Sequence, residues 1–445
     1  MRKKAKTFYA FIVFIDLFCL IVFFSSCAHF SYAAPEPQKI SAEYFGIIPN
    51  ASDEREFAYL DALGITWLRD TFYWSSIERE MGTWTFSAYD TFVEESNAAG
   101  KKILAILAYD TAWLYGEDKR RSYITQEKLP LYLRYVEEVV TRYKGKIAAW
   151  EIWNEPNWIF WKGAREDFYE LSRAAAEKIR ELDPDAVIVA GSFNRVPVKF
   201  IREMFAAGAM ENVDVVSFHP YDINPRFSVQ LYDKIEKLLS ELDYSGRIWV
   251  TEVGYPTGGF YPTKIPESGL PKFLVKTMTG LAVRGAEISF WYKLCDRYNR
   301  DDPRDLFDSE RYFGIAYPDY SPKKGAASYA LCARYLAGTE YRPDLPLRKN
   351  LPKMAETLYF RGENGENTLI LWNNGEAPLS VRAVLPGTGH TIHDIVSGEG
   401  KSFDREIKLS LNGDPKFLTW KSSGLPPAGE KGAADEMPKV IRIGP

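Results

Sequence analysis

Between residues 40 and 340, short apolar runs alternate with longer stretches in which apolar residues recur every three or four positions. Short runs of β-branched and aromatic residues predict strands, and the 3.6-residue period predicts helices. The strands fall at 44–48, 66–69, 102–108, 147–155, 186–190, 213–219, 247–253 and 287–292. Helices are expected at 52–63, 90–99, 126–143, 165–182, 229–242, 272–284 and 322–335. Gly100 and Gly285 sit where a helix would end in the left-handed conformation, and Asp183-Pro184 stops another. Eight strand–helix units over about 300 residues is the count for a (β/α)8 TIM barrel. A doubly wound sheet would open with a glycine-rich phosphate turn after its first strand. Here Ile47-Ile48-Pro49-Asn50 occupies that place, and the chain has no G-x-G-x-x-G and no P-loop.

Past residue 340 the period changes. Residues 341–352 are rich in Pro and Arg and read as a linker. Short alternating runs then follow at 356–360, 368–372, 379–385, 391–396, 407–411 and 416–420, with Gly, Asn and Asp between them. This predicts a small antiparallel β-sandwich over 353–422, a structural cap on the barrel domain of 40–340, followed by a loose tail at 423–445. Trp372 and Trp420 are its only tryptophans, and His390 and His393 read as surface residues.

The first 33 residues read as an export leader. Arg2, Lys3, Lys4 and Lys6 precede an apolar run at 8–24. Two exits are present: a small-x-small cleavage site at Ser31-Tyr32-Ala33, and Phe24-Ser25-Ser26-Cys27, a loose bacterial lipobox that would place a lipid anchor on Cys27. The run is short for a membrane span and carries Asp16. Either exit places the protein outside the cytoplasm of a bacterium, extracellular, periplasmic or membrane-anchored. Past the leader only Cys295 and Cys332 remain, so there is no disulfide framework and no metal-ligand spacing; buried free thiols are expected.

Charge and composition narrow the partners. With 56 basic and 60 acidic residues the net charge is −4, which favours neither nucleic acid nor an anionic membrane surface. The 12 tryptophans suit stacking on flat apolar faces, sugar rings among them, though large cores use Trp as well.

Barrel active sites lie at the C-terminal ends of the strands. Two of those ends repeat one plan. Trp150-Glu151-Ile152-Trp153-Asn154-Glu155-Pro156-Asn157 ends the fourth strand, and Val250-Thr251-Glu252-Val253-Gly254-Tyr255-Pro256 ends the seventh. A carboxylate at the tip of an apolar strand is poorly hydrated and needs a reason to be there. Two such carboxylates facing one another are what hydrolysis of a glycosidic bond requires. Arg69 and Tyr221 are natural partners for an ionised Glu252, the nucleophile. Trp153, Asn154 and Pro156 hydrate an anion poorly and suit Glu155 to a proton donor. Glu151 reads as a buried structural charge. His219 is the only histidine in the barrel, too few for a His-rich metal site, and neither metal nor cofactor is expected. Asn154 and Glu155 are neighbours, so both reach one cleft only if the strand bends or bulges at its tip. Trp74, Trp113, Trp158 and Trp161 lie just past strands two, three and four and read as stacking platforms or as core.

Trp-Asn-Glu-Pro-Asn at 153–157, His-Pro-Tyr at 219–221, Thr-Glu-Val-Gly at 251–254 and Trp291 together resemble glycoside hydrolases of clan A. The look is nearest to the β-xylosidase and α-L-iduronidase family, glycoside hydrolase family 39, and Tyr312-Phe313-Gly314-Ile315 with Tyr320-Ser321-Pro322-Lys323 adds to it. The resemblance implies a retaining mechanism with Glu155 as acid/base and Glu252 as nucleophile. It further implies that Asn154 binds the sugar 2-hydroxyl, that Arg69 and Tyr221 hold the nucleophile, that His219 binds sugar or supports the site, and that Trp291 floors the sugar subsite. Trp74 and Trp113 would add substrate contacts. The substrate would be an oligo- or polysaccharide. A barrel that binds carbohydrate without turning it over, and a transglycosylase using the same residues, remain open readings.

Overall fold

The computed structural model describes residues 30–50, 54–116, 120–260, 264–299, 301–343, 351–422 and 438–443. The expected export leader, up to residue 29 and with the expected Cys27 exit, lies outside the described residues, as does most of the expected tail. Among the described residues no helix is long and apolar enough to cross a membrane.

A short strand, β1 (Gln38–Lys39), precedes a closed barrel of eight parallel strands. In chain order these are β2 (Phe45–Ile47), β3 (Trp67–Tyr73), β4 (Lys102–Ala108), β5 (Ala149–Ile152), β6 (Val187–Asn194), β7 (Val215–His219), β8 (Arg247–Val253) and β9 (Ser289–Trp291). The barrel closes where β2 pairs with β9, Gly46 opposite Phe290. A side chain at Gly46 would come within 2.6 Å of the Phe290 ring, so glycine lets that ring fill the barrel.

Helices cover the outside: α1 (Glu54–Leu63), α2 (Trp74–Ile77), α3 (Ser87–Ala98), α4 (Leu129–Tyr143), α5 (Arg165–Leu182), α6 (Val198–Ala206), α7 (Pro225–Glu241), α8 (Leu270–Val283) and α9 (Gly325–Leu336). The sequence reading passed over α6. It buries Phe200, Ile201 and Met204, a short amphipathic pattern hidden behind the Pro197 that opens it.

The barrel interior sets the geometry of everything above it. Trp67, Leu104, Ala149, Val189, Val215, Trp249, Ile288 and Phe290 pack as one apolar layer, with Trp67 and Trp249 edge-to-face at 5.2 Å. Side chains alternate along a strand, so the next inward positions are two residues on. Those positions are Arg69, Glu151, Ser217 and Thr251, all buried. A polar layer therefore sits directly on the apolar one, at the C-terminal ends of the strands.

The second domain is a sandwich, but its strands do not all lie where the sequence reading put them. One sheet runs β1-β10-β11-β12-β17-β14-β15 and the other β16-β13-β18. The added elements are β10 (Glu340–Tyr341), β11 (Ala355–Arg361), β12 (Glu366–Asn373), β13 (Leu379–Val384), β14 (Thr388–His393), β15 (Gly400–Ser402), β16 (Glu406–Leu411), β17 (Lys416–Lys421) and β18 (Lys439–Arg442). The expected tail is thus corrected: β18 pairs antiparallel with β13, Val440 opposite Ala383, and Val440 is buried. The expected linker starts inside a strand, since Tyr341 of β10 pairs with Phe360. His390 is buried against Phe403 rather than at the surface. Trp372 and Trp420 are both core residues.

The sandwich rests on α8 and α9. The Lys276 ammonium sits 5.4 Å over the Trp372 ring, whose other neighbour is Tyr32, edge-on at 5.1 Å. Thr368 donates to the Tyr335 carbonyl, and Ser328 to that of Ile395. Cys295 and Cys332 are free and buried; burial pushes the Cys295 thiol up to about 12.

Candidate active site

Arg69 on β3 is the centre of the polar layer. Its Nε donates to Glu151 Oε2 at 2.7 Å and its Nη1 to Glu252 Oε1 at 2.6 Å. Its Nη2 donates to Asn154 Oδ1 at 2.8 Å and to Ser192 Oγ at 3.1 Å. Burial works against its charge, but Glu151 and Glu252 outweigh that and raise its pKa further. Glu151 is wholly enclosed, and its second oxygen accepts from Ser217 Oγ at 2.7 Å.

Both oxygens of Glu252 are held. Oε1 takes the Arg69 bond and Oε2 accepts from the Tyr221 hydroxyl at 2.8 Å. Burial alone would push this carboxyl up. His219, Arg69 and the Tyr221 hydroxyl outweigh burial, and the net position is below the usual carboxylate value. Glu252 reaches the cleft because β8 bulges: two steps along β9, Ser289 to Trp291, match three along β8, Val250 to Val253. Without that extra residue Glu252 would point away, since its neighbour Thr251 already faces in.

Glu155 arrives by a different route. β5 ends at Ile152, and Trp153 and Glu155 both take left-handed backbone conformations, with φ of 65° and 45°. The chain turns sharply there, the bend that the adjacency of Asn154 and Glu155 demands. Ser192, across from them on β6, is left-handed too, and its carbonyl accepts from the Glu155 amide at 3.0 Å. Such conformations cost of order 1–3 kcal/mol each in a non-glycine residue and gather at functional sites. Glu155 Oε1 lies 2.8 Å from His219 Nδ1 and 3.1 Å from Asn194 Nδ2. Its Oε2 makes no hydrogen bond among the described residues.

Glu155, His219 and Glu252 bring ligand atoms within 4.8 Å of one another. A metal could in principle sit among such atoms. Here the Glu252 oxygens are already taken by a guanidinium and a phenol, so the positive charge beside them is supplied by Arg69.

The predicted residues divide. Glu155, Glu252, Asn154, Arg69, His219 and Tyr221 meet in one cluster. His219, however, is wholly buried, with Nε2 close to Ser192 Oγ and Thr251 Oγ1. It holds carboxylates, not sugar. That is the supporting one of the two places expected for His219, whereas Trp291 does not lie where it was expected. Phe290 points into the barrel, so Trp291 points out, is fully buried and packs on Tyr255. The residue that faces the cleft is Tyr292, whose ring neighbours are Tyr221 and Phe313. Trp74 is closed off from solvent and Trp113 is half-buried. Trp74 is buried in α2, stacks on Tyr135 and donates Nε1–H to Glu78; the Trp113 indole donates to the Glu78 carbonyl. Glu78 thus accepts from both indoles, through its carboxylate and its backbone carbonyl. Trp161 is core as well, packed on Trp153 and Phe168. Ser192, Asn194, Ser217 and Tyr292 were missed. Gly191-Ser192 within an otherwise apolar strand was the signal for the first two, because a glycine there marks a bulge.

Comparison with known proteins bears on the fold. No family model matches the chain. A curated relative, endo-1,4-beta-xylanase 5 of Arabidopsis thaliana, is 21% identical over 266 residues, 55% of this chain. The chain spans about half the length, 46%, of that relative. Among solved structures, a family 39 glycoside hydrolase from Bacteroides cellulosilyticus WH2 superposes with a TM-score of 0.70 at 20% identity, over 86% of this chain and 82% of that one. A monomeric beta-xylosidase from Caulobacter crescentus CB15 gives 0.61 at 13% identity, over 87% and 97%. A family 30 subfamily 8 xylanase from Clostridium acetobutylicum gives 0.61 at 11%, over 86% and 97%. The barrel and sandwich are the fold of family 39 and family 30 glycoside hydrolases of clan A.

Removing one partner of a buried ion pair strands the other charge, at about 3–5 kcal/mol. Glu151→Ala is therefore expected to lower the unfolding free energy by about that amount in urea denaturation. A loss below about 1 kcal/mol would mean that Arg69 is fully carried by its other partners.

Proposed function

We propose that the protein is an exported retaining glycoside hydrolase acting on an oligo- or polysaccharide. The observation that carries this is the nearness of two carboxylates: one oxygen of Glu155 and one of Glu252 lie within 4.8 Å of each other. Double displacement uses carboxyl groups about 5–5.5 Å apart, whereas inversion needs about 6.5–9.5 Å to admit a water between them. In this reading ionised Glu252 attacks the anomeric carbon and forms a glycosyl ester. Glu155 Oε2, the oxygen left free, gives its proton to the departing glycosidic oxygen. Water then attacks the anomeric carbon as Glu155 takes that water's proton, the bond from that carbon to the Glu252 oxygen breaks, and Glu252 leaves as a carboxylate. Asn154, its oxygen engaged by Arg69 and its side chain also bonded to the Tyr109 hydroxyl, would turn its other amide N–H to the sugar 2-hydroxyl. Tyr292 takes the place first given to Trp291 as the floor under the sugar.

A sugar-binding barrel without turnover would have no use for a carboxylate pinned by two donors, kept below its ordinary range, beside a second carboxyl. Transglycosylation would use the same residues and differs in what attacks the ester.

The folded domain also bears on the leader. Tyr32 is buried, its ring packs on Trp372, and its carbonyl accepts from Arg284 at 2.5 Å. Cleavage after Ala33 would remove that residue, whereas an exit at Cys27 keeps it. This supports a lipid anchor at Cys27 and membrane attachment over free secretion. Mass spectrometry of the mature protein is expected to find acylated Cys27 as its first residue; an N-terminus at Ala34 would reverse the assignment.

Two kinetic outcomes are expected. Glu252→Gln abolishes turnover with folding intact by circular dichroism. Glu155→Ala slows substrates with poor leaving groups far more than activated aryl glycosides, which need little protonation; equal slowing of both would overturn the role given to Glu155.

The pH dependence follows from Glu252. Its folded pKa lies below the ordinary 4.5, so the ionised form, with its share of stability, is lost only as pH falls through that lower value. Tyr221→Phe removes one of the donors that lower it. The acid limb of kcat/KM should then move to higher pH, and an unmoved limb would separate Tyr221 from the nucleophile.

A further inference from the structure

The loop that carries Glu155 continues as Pro156-Asn157-Trp158, and beside it opens a cavity of about 470 Å³. That volume lies within the range of ligand pockets. Its walls come from this loop and from the segment 197–200 at the start of α6, with Arg165 at the rim. Of the four loop tryptophans, Trp74 and Trp161 are buried and Trp113 is half-buried; Trp158 is 52% exposed.

An exposed indole on a tethered loop asks for a partner. The loop is fixed at several points. The Trp158 amide donates to the Glu155 carbonyl at 3.0 Å, and the Trp153 indole to the Phe160 carbonyl at 3.1 Å. Gly163 lies so close to Tyr123 that an added side chain would meet it at 2.8 Å. The backbone that carries Trp158 is thus held in place before anything binds, which lowers the ordering cost of binding.

Position decides what it binds. A proton donor stands on the side of the leaving group and a nucleophile on the side of the anomeric carbon. Tyr221, Tyr292 and Phe313 gather around Glu252, whereas the wall of the Trp158 cavity begins at Pro156, the residue after Glu155. The two are also wired together. Asn157 donates from Nδ2 to the Asn194 carbonyl at 2.9 Å and accepts the Asn194 amide at 3.0 Å, and Asn194 Nδ2 donates to Glu155 Oε1 at 3.1 Å. Arg165 and Lys199 share Glu203 as their counter-ion, at 3.3 and 3.6 Å, and their remaining N–H groups are suited to sugar hydroxyls.

We infer that the Trp158 cavity is a leaving-group subsite that takes a neutral sugar ring stacked on the indole. This rests on the glycosidase reading and extends it: the natural substrate carries at least one sugar unit on the departing side of the cleaved bond. Energy from that contact is spent on aligning the departing oxygen with Glu155.

The test compares substrates that do and do not fill the cavity. Fluoride leaves without occupying a subsite, so β-xylosyl fluoride and β-glucosyl fluoride are set against xylotetraose and cellotetraose. Trp158→Ala is expected to leave kcat/KM on the fluoride within about twofold and to lower it on the matching tetrasaccharide about five- to tenfold, with Trp158→Phe recovering part of the loss. Unchanged fluoride turnover also shows that the variant folds. Equal effects on both substrates, or none on either, overturn the subsite. Where the wild-type enzyme cleaves neither, the catalytic reading fails on its own. Tryptophan fluorescence titrated with the tetrasaccharides then decides the cavity: a response lost in Trp158→Ala supports a sugar site, and a retained or absent response overturns it.

Discussion

The site depends on one guanidinium. Arg69 is planar, always charged and carries five donors in a fixed fork, and it spends them on four side chains from three segments, the tip of β5, β6 and β8. No lysine could do this, because a point charge cannot fix the angles between its partners. Arg69 is itself affordable in the barrel core only because Glu151 neutralises it from below. That leaves less attraction for Glu252, and the Tyr221 hydroxyl and His219 make up the difference. The low position of Glu252 is therefore a property of the cluster rather than of any one pair.

Three local departures from regular structure bring the cluster together. A straight strand offers the cleft one side chain in two, and this site needs Asn154 with Glu155 and Thr251 with Glu252. The chain meets the first demand with left-handed residues at the tip of β5 and the second with a bulge in β8. The third departure, at Gly191-Ser192, lets one residue supply a carbonyl to the Glu155 amide and a hydroxyl to Arg69. All three lie at the ends of strands whose lower halves are regular and packed. Rigid walls below allow strained tips above.

Much of this was legible in the residues. Hydrophobic alternation gave the barrel, and the ends of its fourth and seventh strands gave Glu155 and Glu252, because an ionisable group on an apolar strand has few other reasons to exist. Arg69 and Tyr221 followed from what an ionised carboxylate needs. The failures share a cause. Trp291 was chosen over Tyr292 because a tryptophan looks more like a sugar platform, although counting in twos from Phe290 puts it on the far side. Trp74 and Trp113 were read by loop position, without asking where their indole N–H groups would go. Ser192 and Asn194 sat in a strand counted as ending at residue 190. β18 was lost in a stretch whose composition hid four residues that pair only because β13 offers them an open edge.

The seven-stranded sheet has one more implication. Its first strand, β1, comes before the barrel in the chain and its second, β10, comes after, and the two are hydrogen-bonded partners, Gln38 with Tyr341. The barrel's own seam is the pairing of β2 with β9, so the sandwich grips the polypeptide on both sides of that seam. It is a buckle fastened from both straps. A segment that starts at residue 350 would lack both β1 and β10, so the seven-stranded sheet is not one contiguous stretch of chain.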